Sequence, residues 1–383
     1  NRTEKNMIAY LDNSATTPVD EQTAQLIYTM LTQNYGNPSS LHKKGLEAQL
    51  KVDAARAAIA KTLYAQAEEI YFTGSGSESN NLALQGAANA KKRRGNKIVA
   101  TAFEHSSVMN TLKYLEKNGF QVEYIYPGQN GLINAQNFIN AVDGNTVLAT
   151  CMLVNNETGA VSPLADIIKG IRRKNSSTLI HSDAVQAYGK LDINVKKLDV
   201  DMLTISGHKI YAPKGIGALY IKKGVRIAPI IYGGSQEGSM RAGTENTAYI
   251  CGFAYAAQQA AENIKKNLEH AAGLKERLIS RLSDIQGISI NSPQNSLPYI
   301  ANISVNGIRS EIMLHYLEQF EVYVSSGSAC AKGAKSHVLK AAGLSDDKID
   351  TALRISFGYK TTVQEIDYFA EKLKEGIKNI YIK

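Results

Sequence analysis

Glycine and serine residues occur together with one glutamate in a loop of the first half of the chain. Residues 73–81 (TGSGSESNN) follow the apolar run 69–73 and precede an amphipathic segment. Gly76 allows a close backbone approach, Ser77 is the predicted helix cap, and the free N–H groups of a first helical turn favour an anion. The spacing matches neither the dinucleotide fingerprint nor the P-loop. The loop therefore predicts a phosphate site, and an ordinary capped turn is the alternative.

Two further loops supply an acid and an amine at the ends of apolar runs. Asp183 lies in residues 181–186 (HSDAVQ), and Lys209 closes residues 206–209 (SGHK) beside His208. A strand-end acid can equally be a helix cap, and a lone lysine is usually a solvated charge. A partly desolvated lysine beside a histidine has a lowered amine pKa and suits Schiff-base formation. Pyridoxal phosphate needs a phosphate site, an acid at its ring nitrogen and a lysine for its aldehyde, and the chain offers these three groups in this order.

The elements that carry these loops alternate along the chain. From about residue 70 to 225, short apolar runs alternate with amphipathic segments such as 78–93 and 162–174. Buried strands between helices predict an α/β fold, in which a mainly parallel sheet is covered by helices on both faces. Ligands bind such sheets at the loops that leave the carboxyl ends of strands. The predicted strands are 69–73, 97–101, 147–154, 178–181, 201–205 and 217–221.

The pattern changes in the last third of the chain. Residues 41–62 and 252–283 are predicted to be long helices, and the second could bridge two domains. Shorter strands follow at 288–290, 303–305 and 353–357, which predicts a smaller α+β domain. The predicted division is an N-terminal arm on the side of the small domain (1–20), a large cofactor-binding domain (21–258) and a small C-terminal domain (259–383).

Composition excludes several other classes of protein. The 383 residues are 44% apolar and 20% charged, which excludes a disordered chain, and no run of 18 apolar residues occurs, so no membrane span is predicted. The net charge of +8 comes from scattered basic residues, so direct nucleic-acid binding is not expected. Cys151, Cys251 and Cys330 have no short spacing, which argues against a disulfide framework or a zinc site. We expect no metal and a cytoplasmic location.

Six short motifs carry a family resemblance. They lie at 10–18 (YLDNSATTP), 36–40 (GNPSS), 155–159 (NNETG), 206–209 (SGHK), 241–246 (RAGTEN) and 325–330 (SSGSAC). The sequence resembles the class V aminotransferase family of fold type I pyridoxal-phosphate enzymes, and within it the cysteine desulfurases. The resemblance runs from about residue 8 to the C-terminus, with the motifs in order. It implies a large domain with a mainly parallel sheet, a smaller α+β domain, and pyridoxal 5'-phosphate as cofactor.

The resemblance implies a role for each matching residue. Lys209 resembles the lysine that binds the cofactor covalently and moves the Cα proton, and His105 resembles the histidine that stacks on the cofactor ring and acts as acid and base. Asp183 resembles the acid that faces the pyridinium nitrogen. Arg354 matches the arginine that binds the substrate α-carboxylate, and Thr244 matches a residue that reaches the phosphate of the neighbouring subunit, which implies a homodimer. The other implied contacts are Gln186 and Asn156 for the ring oxygen, Asn156 and Asn37 for the substrate, and Gly76, Ser77, Ser206 and His208 for the phosphate.

The reaction depends on Cys330, which lies in a loop of small residues at 325–335. Lys335 and a second lysine of this loop could favour its thiolate. The other two cysteines lie among apolar or small neighbours and are predicted core residues. The resemblance implies that Cys330 attacks the sulfur of L-cysteine, which leaves L-alanine and a persulfide on Cys330.

The resemblance further implies a sulfur-acceptor protein, either an iron–sulfur scaffold or a tRNA-thiolation enzyme. Two alternatives use the same fold, namely a selenocysteine lyase and an aminotransferase for a small substrate. A catalytically inactive binding protein is the alternative from another class. A Cys330→Ala variant separates the first alternative from a desulfurase, because a selenium-specific enzyme does not need Cys330 for its preferred substrate.

Overall fold

The computed structural model describes residues 7–128, 130–326 and 335–381. The helices in these ranges are α1 (Glu21–Thr32), α2 (Lys43–Thr62), α3 (Gly76–Lys91), α4 (Ser106–Lys117), α5 (Ala135–Ala141), α6 (Leu164–Lys174), α7 (Val195–Leu198), α8 (Thr247–Glu262), α9 (Ile264–Ser283), α10 (Ser310–Glu318), α11 (His337–Ala341), α12 (Asp346–Asp350) and α13 (Val363–Tyr381). The strands are β1 (Ala9–Tyr10), β2 (Ile70–Thr73), β3 (Lys97–Thr101), β4 (Gln121–Ile125), β5 (Thr146–Thr150), β6 (Leu179–Asp183), β7 (Met202–Ser206), β8 (Gly217–Ile221), β9 (Ile288–Ile290), β10 (Ile300–Val305), β11 (Val322–Tyr323), β12 (Ser325–Ser326) and β13 (Ala352–Ser356). Cys330 lies outside the described residues.

The larger of the sheets has the strand order β2-β8-β7-β6-β5-β3-β4. Strands β4, β3, β5, β6 and β7 are parallel, whereas β8 is antiparallel to both of its neighbours. Successive residues of a strand point to opposite faces, and in β3 Val99 belongs to one buried apolar cluster while Ile98 and Ala100 belong to another. The sheet is therefore covered on both faces, and the predicted α/β fold with a mainly parallel sheet is confirmed.

A second, antiparallel sheet lies in the C-terminal part of the chain, with the order β12-β13-β10-β9. The N-terminal strand β1 pairs in parallel with β11, and Ala9 and Leu11 share a buried apolar cluster with residues of α9, α13 and β13. The first described residues thus pack with the last part of the chain. The boundaries at 20/21 and 258/259 remain a prediction.

The single long helix predicted at 252–283 is wrong. Two helices, α8 and α9, meet at Asn263, which has φ −109° and ψ 8°. The Asn263 side chain donates to the carbonyl oxygen of Gln259 at 2.8 Å, and such local bonds compete with helix continuation. Helix α8 packs on α1 and α2, whereas α9 packs on α13, so the break separates two different packing environments.

Strand β4 was not predicted from the sequence. Its residues alternate between exposed and partly buried, and it forms an edge of the larger sheet, so it lacks a continuous apolar run. Separately, no helix within the described ranges is both long and apolar enough to cross a membrane.

A buried ion pair attaches the segment before α8 to the larger sheet. Two nitrogens of Arg56 in α2 bond the Glu237 carboxylate at 2.6 and 2.8 Å, and Glu237 also accepts the N–H of Phe72 at 2.8 Å. Glu237 is 7% exposed. Because this segment continues to Thr244, the ion pair positions one of the predicted site residues.

Replacing this carboxylate tests its contribution to stability. Glu237→Gln leaves the half-buried Arg56 charge without its buried counter-ion, so we expect the free energy of unfolding to fall by about 3 kcal/mol in urea denaturation. The matched control is Glu68→Gln, which removes an exposed carboxylate 3.4 Å from Lys223 and should leave the urea midpoint unchanged. Equal midpoints for the two variants would contradict the interpretation.

Candidate active site

The predicted phosphate loop joins β2 to α3. Ser75, not Ser77, caps the helix, because its Oγ accepts the N–H of Glu78 at 3.1 Å. Ser77 is exposed in the first turn, where N–H groups have no partner within the helix. The cap therefore lies two residues earlier than predicted, and the N–H groups of Gly76 and Ser77 remain available to an anion.

Close packing explains the glycine at position 76. A Cβ at Gly76 would lie 2.9 Å from Val185 Cγ2 and 3.4 Å from Ser206 Cβ, so the loops after β2, β6 and β7 converge there. The Ser206 hydroxyl is buried and has no hydrogen-bond partner among the described residues. A buried hydroxyl without a partner beside free helix N–H groups is an arrangement suited to a bound oxyanion.

The segment that carries Thr244 is attached to this loop. Glu78 accepts the N–H of Gly74 at 2.9 Å and the Nε–H of Arg241 at 2.7 Å. Thr244 follows three residues later and is exposed. Its predicted contact with the phosphate of a neighbouring subunit remains a prediction.

Asp183 ends β6 and is 3% exposed. Its carboxylate accepts a bond from the side chain of Asn80 in α3 at 2.8 Å and from the N–H of Val185 at 2.9 Å. Sequence analysis assigned no role to Asn80, although it lies inside the phosphate loop motif. Its amide fixes the orientation of the acid, and its own Oδ1 is buried without a partner in the described part of the chain.

Lys209 lies in the short helical turn that follows β7. Its Nζ donates to the carbonyl oxygens of Ser14 and, at 2.7 Å, Ala15. Burial, helped by the positive charges of Arg354 and Lys190 and opposed by Asp12 and Asp183, lowers the pKa of the Lys209 amine to about 7. Much of this amine is therefore neutral at pH 7, as a nucleophile or proton acceptor requires.

His208 and Gln186 lie beside the lysine. Burial, helped by Lys209, lowers the pKa of His208 to about 4, so the ring is neutral, and its Nδ1 lies 3.3 Å from the hydroxyl of Thr16. The Gln186 amide donates to the Ser14 carbonyl oxygen at 3.0 Å. Ser14 thus receives bonds from two of the predicted site residues.

His105 precedes α4 and caps it. Its Nδ1 accepts the N–H of Ser107 at 3.2 Å and lies 2.8 Å from the Ser107 hydroxyl. Burial and the charges of Lys209 and His337 lower the pKa of His105, while Asp183 opposes them. We therefore assign a neutral ring with its proton on Nε2, the nitrogen left for exchange with a ligand.

Arg354 on β13 is 5% exposed and brings the C-terminal sheet to the site. It donates to Asp12 at 2.9 Å, to the Ser325 hydroxyl at 3.1 Å and to the Asn156 carbonyl oxygen at 3.1 Å. Arg354 Nε and Asn156 Oδ1 are both buried without a partner among the described residues. Asn37 is exposed, and its side chain accepts from Ser39 within its own turn.

The segment with Cys330 is attached to site residues at both of its described ends. Before it, Ser325 donates to Asp12 at 2.9 Å. After it, Ser336 donates to Glu157 at 2.6 Å. Lys335 pairs with Asp346 and Asp350 at 3.0 and 3.2 Å, so its charge is engaged by these acids and is less available to a thiolate than the sequence suggested.

Two buried acids escaped the sequence analysis. Burial raises the pKa of Glu104 to about 8 and that of Glu157 to about 7, so both carboxyl groups hold protons more strongly than an exposed acid. Each lies next to a residue already singled out, His105 and Asn156 respectively. Only their positions beside motif residues could have indicated these two acids, because the burial of a glutamate cannot be predicted from its residue type.

The Lys209 amine has a testable reactivity. Trace acetylation followed by peptide mass spectrometry, from about pH 5 to about pH 10, should label Lys209 with a half-maximal rate near pH 7. Exposed lysines should react slowly at pH 7, because an ordinary ammonium group stays protonated there. A Lys209 peptide that follows the pH dependence of the exposed lysines would show that burial does not activate the amine.

Comparisons with known proteins agree with this geometry. The sequence matches the family model described as Aminotransferase class-V over residues 9–369. It is 40% identical over 379 residues to the cysteine desulfurase IscS of Clostridium botulinum strain Hall, covering 97% of this chain and 95% of the relative. The solved structure of a NifS-like protein is similar at a TM-score of 0.93 and 37% identity, over 97% of this chain and 100% of that one. The structure titled SspA in complex with cysteine has a TM-score of 0.80 and 34% identity, over 92% of this chain and 100% of that one.

The family match covers both sheets and every described residue of the site. It confirms the resemblance stated from the six motifs and the fold type that the resemblance implied. The chain belongs to the class-V aminotransferase family, and within that family it is similar to enzymes named cysteine desulfurases.

Proposed function

We propose that this protein is a pyridoxal-phosphate-dependent cysteine desulfurase, which converts L-cysteine to L-alanine and keeps the sulfur as a persulfide on Cys330. The observation that carries the proposal is the buried, partly neutral amine of Lys209. It lies at the strand ends that also present Asp183 and a Ser206 hydroxyl without a hydrogen-bond partner in the described part of the chain. A relative whose title reads SspA in complex with cysteine supports L-cysteine as the substrate.

The residues present fit the proposed cofactor. Gly76 and Ser206 would hold its phosphate, because the close backbone approach and the free hydroxyl both favour an oxyanion. Asp183, oriented by Asn80, would face the pyridinium nitrogen, and Lys209 would form the covalent link. When bound, pyridoxal 5'-phosphate supplies an electron sink that stabilises negative charge at the substrate Cα.

Substrate binding and proton transfer follow from the described side chains. Arg354 would bind the α-carboxylate of L-cysteine, because its buried Nε–H has no partner in the described part of the chain and carboxylates pair well with guanidinium groups. The neutral fraction of the Lys209 amine accepts the Cα proton near pH 7. His105, a neutral ring with its proton on Nε2, would donate that proton from Nε2 to the product.

Cys330 is the nucleophile in this proposal. The two cysteines that the structure describes are unsuited to the task, because burial raises the pKa of both Cys151 and Cys251. The Cys330 thiolate attacks the substrate sulfur, an S–S bond forms, and the Cβ–S bond breaks with its electron pair on carbon. A proton completes the methyl group of alanine. L-cysteine and one thiol thus give L-alanine and one persulfide without an external oxidant or reductant.

The later fate of the sulfur is part of the same proposal. The persulfide would pass to an acceptor protein, either an iron–sulfur scaffold or a tRNA-thiolation enzyme in the cytoplasm. Thr244 is exposed, which leaves it free to reach a second copy of the chain, as a homodimer would require. The names of the relatives support the desulfurase step itself.

The role of Cys330 can be tested by product analysis. With L-cysteine and a thiol reductant, Cys330→Ala should lower alanine formation at least about a hundredfold, because the attacking thiolate is missing. The matched control is Cys251→Ala, which removes a half-buried thiol in α8 and should retain alanine formation.

Other outcomes distinguish the alternatives. Alanine formation that survives in Cys330→Ala would contradict the desulfurase mechanism, and release of alanine from L-selenocysteine in the same variant would favour a selenocysteine lyase. Formation of a keto acid in place of alanine would favour an aminotransferase.

A further inference from the structure

Lys190 is a buried amine to which the proposed mechanism gives no task. It follows β6, is 8% exposed, and donates to Gln186 Oε1 at 3.2 Å. Its Nζ also lies 5.6 Å from the centre of the Tyr299 ring. Burying an ammonium group is costly, and one amide bond and one aromatic ring compensate it only in part. The unfavourable free energy of burying this ammonium group suggests that Lys190 has a function other than packing.

A chain of hydrogen bonds connects Lys190 to Lys209. Lys190 donates to Gln186 Oε1, and the other end of the same amide donates to the carbonyl oxygen of Ser14 at 3.0 Å. The Lys209 amine donates to that same carbonyl oxygen. The bond from Lys190 selects one orientation of the Gln186 amide, since only Oε1 can accept from an ammonium group. Lys190 thus fixes the amide that shares an acceptor with Lys209.

The two lysines also share a cavity of about 370 Å³. Both lysines line it together with Tyr211 and Tyr299. Further charged or titratable groups that line the cavity are Asp20, Glu21, Lys266, Tyr359 and Lys360. Those that interact with either lysine from other sides are Asp12, Asp183, Arg354, His105 and His208.

We propose that Lys190 is a positioning residue for Lys209: the bond to Gln186 holds the Lys190 ammonium group in the cavity that the two lysines share, and its positive charge there opposes a second charge on Lys209. The inference rests on the proposed function, in which Lys209 must react with an aldehyde. It adds a residue to which the proposed mechanism assigns no contact with the substrate or the cofactor.

The charge of Lys190 determines the direction in which the pKa of Lys209 changes when Lys190 is removed. Burial and Arg354 lower the pKa of Lys190 to about 8, so this amine is mostly charged at pH 7 and mostly neutral well above pH 8. Its charge is one of the causes of the lowered pKa of Lys209. Removal of Lys190 should therefore raise the pKa of Lys209 and decrease its neutral fraction near pH 7. The difference should vanish at high pH, where Lys190 is uncharged and Lys209 is neutral in both proteins.

The test measures how fast the cofactor-free protein captures the aldehyde of pyridoxal 5'-phosphate at Lys209. Capture is followed by absorbance, and the borohydride-reduced adduct is located by peptide mass spectrometry. Lys190→Met should slow capture about three- to tenfold at pH 7 and leave it unchanged near pH 9.5. Lys190→Arg should restore the wild-type rate at pH 7, because it keeps the charge and the bond to Gln186. The cavity leaves room for the larger side chain.

A second buried lysine provides the matched control. Lys275 is 9% exposed, donates to Ser296 at 2.7 Å, and has a pKa lowered by burial to about 8, but it lies in α9 and does not line the cavity. Lys275→Met should capture the aldehyde at the wild-type rate at every pH. If Lys190→Met does not fold, Lys190→Gln removes the charge, keeps a donor for Gln186, and should show the same loss at pH 7.

Each other outcome has a defined meaning. A wild-type protein that captures no aldehyde at Lys209 would overturn the proposed function itself. Wild-type capture with an unchanged rate at pH 7 in Lys190→Met would overturn the role of Lys190 alone. A loss of equal size at all pH values, or an equal loss in Lys275→Met, would reveal a general structural effect and would also overturn it.

Discussion

The proposed site is organised around one physical constraint, the desolvation of the Lys209 amine. Lys209 is held among buried groups by backbone carbonyl oxygens of Ser14 and Ala15, which belong to the N-terminal segment of the chain. That contact requires the N-terminal segment to be placed correctly, and its placement depends on the pairing of β1 with β11. The larger sheet contributes the lysine, and the strand pair contributes its acceptors. The desolvated environment of the Lys209 amine therefore exists only when both parts of the structure are assembled.

The charges around Lys209 form a balanced set. Arg354 and Lys190 disfavour its protonated form, whereas Asp12 and Asp183 favour it, and burial tips the balance toward the neutral amine. Asp12 also links Arg354 to Ser325 in β12, the strand that precedes the segment containing Cys330. The proposed substrate carboxylate would thus bind to an arginine that already contacts Ser325, close to the segment that contains Cys330. The same few side chains connect substrate binding, amine reactivity and the attachment of that loop.

The sequence was informative where a physical pattern was local. Buried strands such as β5 and β7 were predictable from continuous apolar runs, and Asp183 and Lys209 from their positions where runs end. Edge strand β4 was not, because its exposure alternates, and the helix break at Asn263 was not, because it depends on a side-chain bond and on two packing surfaces.

Contacts between distant residues escaped the sequence for a different reason. The bonds from Lys209 to Ser14, from Asn80 to Asp183 and from Lys190 to Gln186 join side chains whose proximity depends on the assembled fold. Cys330 was singled out by its loop and by the family motif, and its role remains a prediction because it lies outside the described residues.

The measurement to make is the reaction of the purified protein with pyridoxal 5'-phosphate, followed by borohydride reduction and peptide mapping. We expect an absorption band at about 400 nm, the region typical of an imine between pyridoxal phosphate and a lysine, and a reduced adduct on the peptide that contains Lys209. Lys209→Ala should lose both. A protein that gives no band, or one whose adducts are spread over exposed lysines with Lys209 unmodified, would contradict the assignment of this buried amine as the reactive centre.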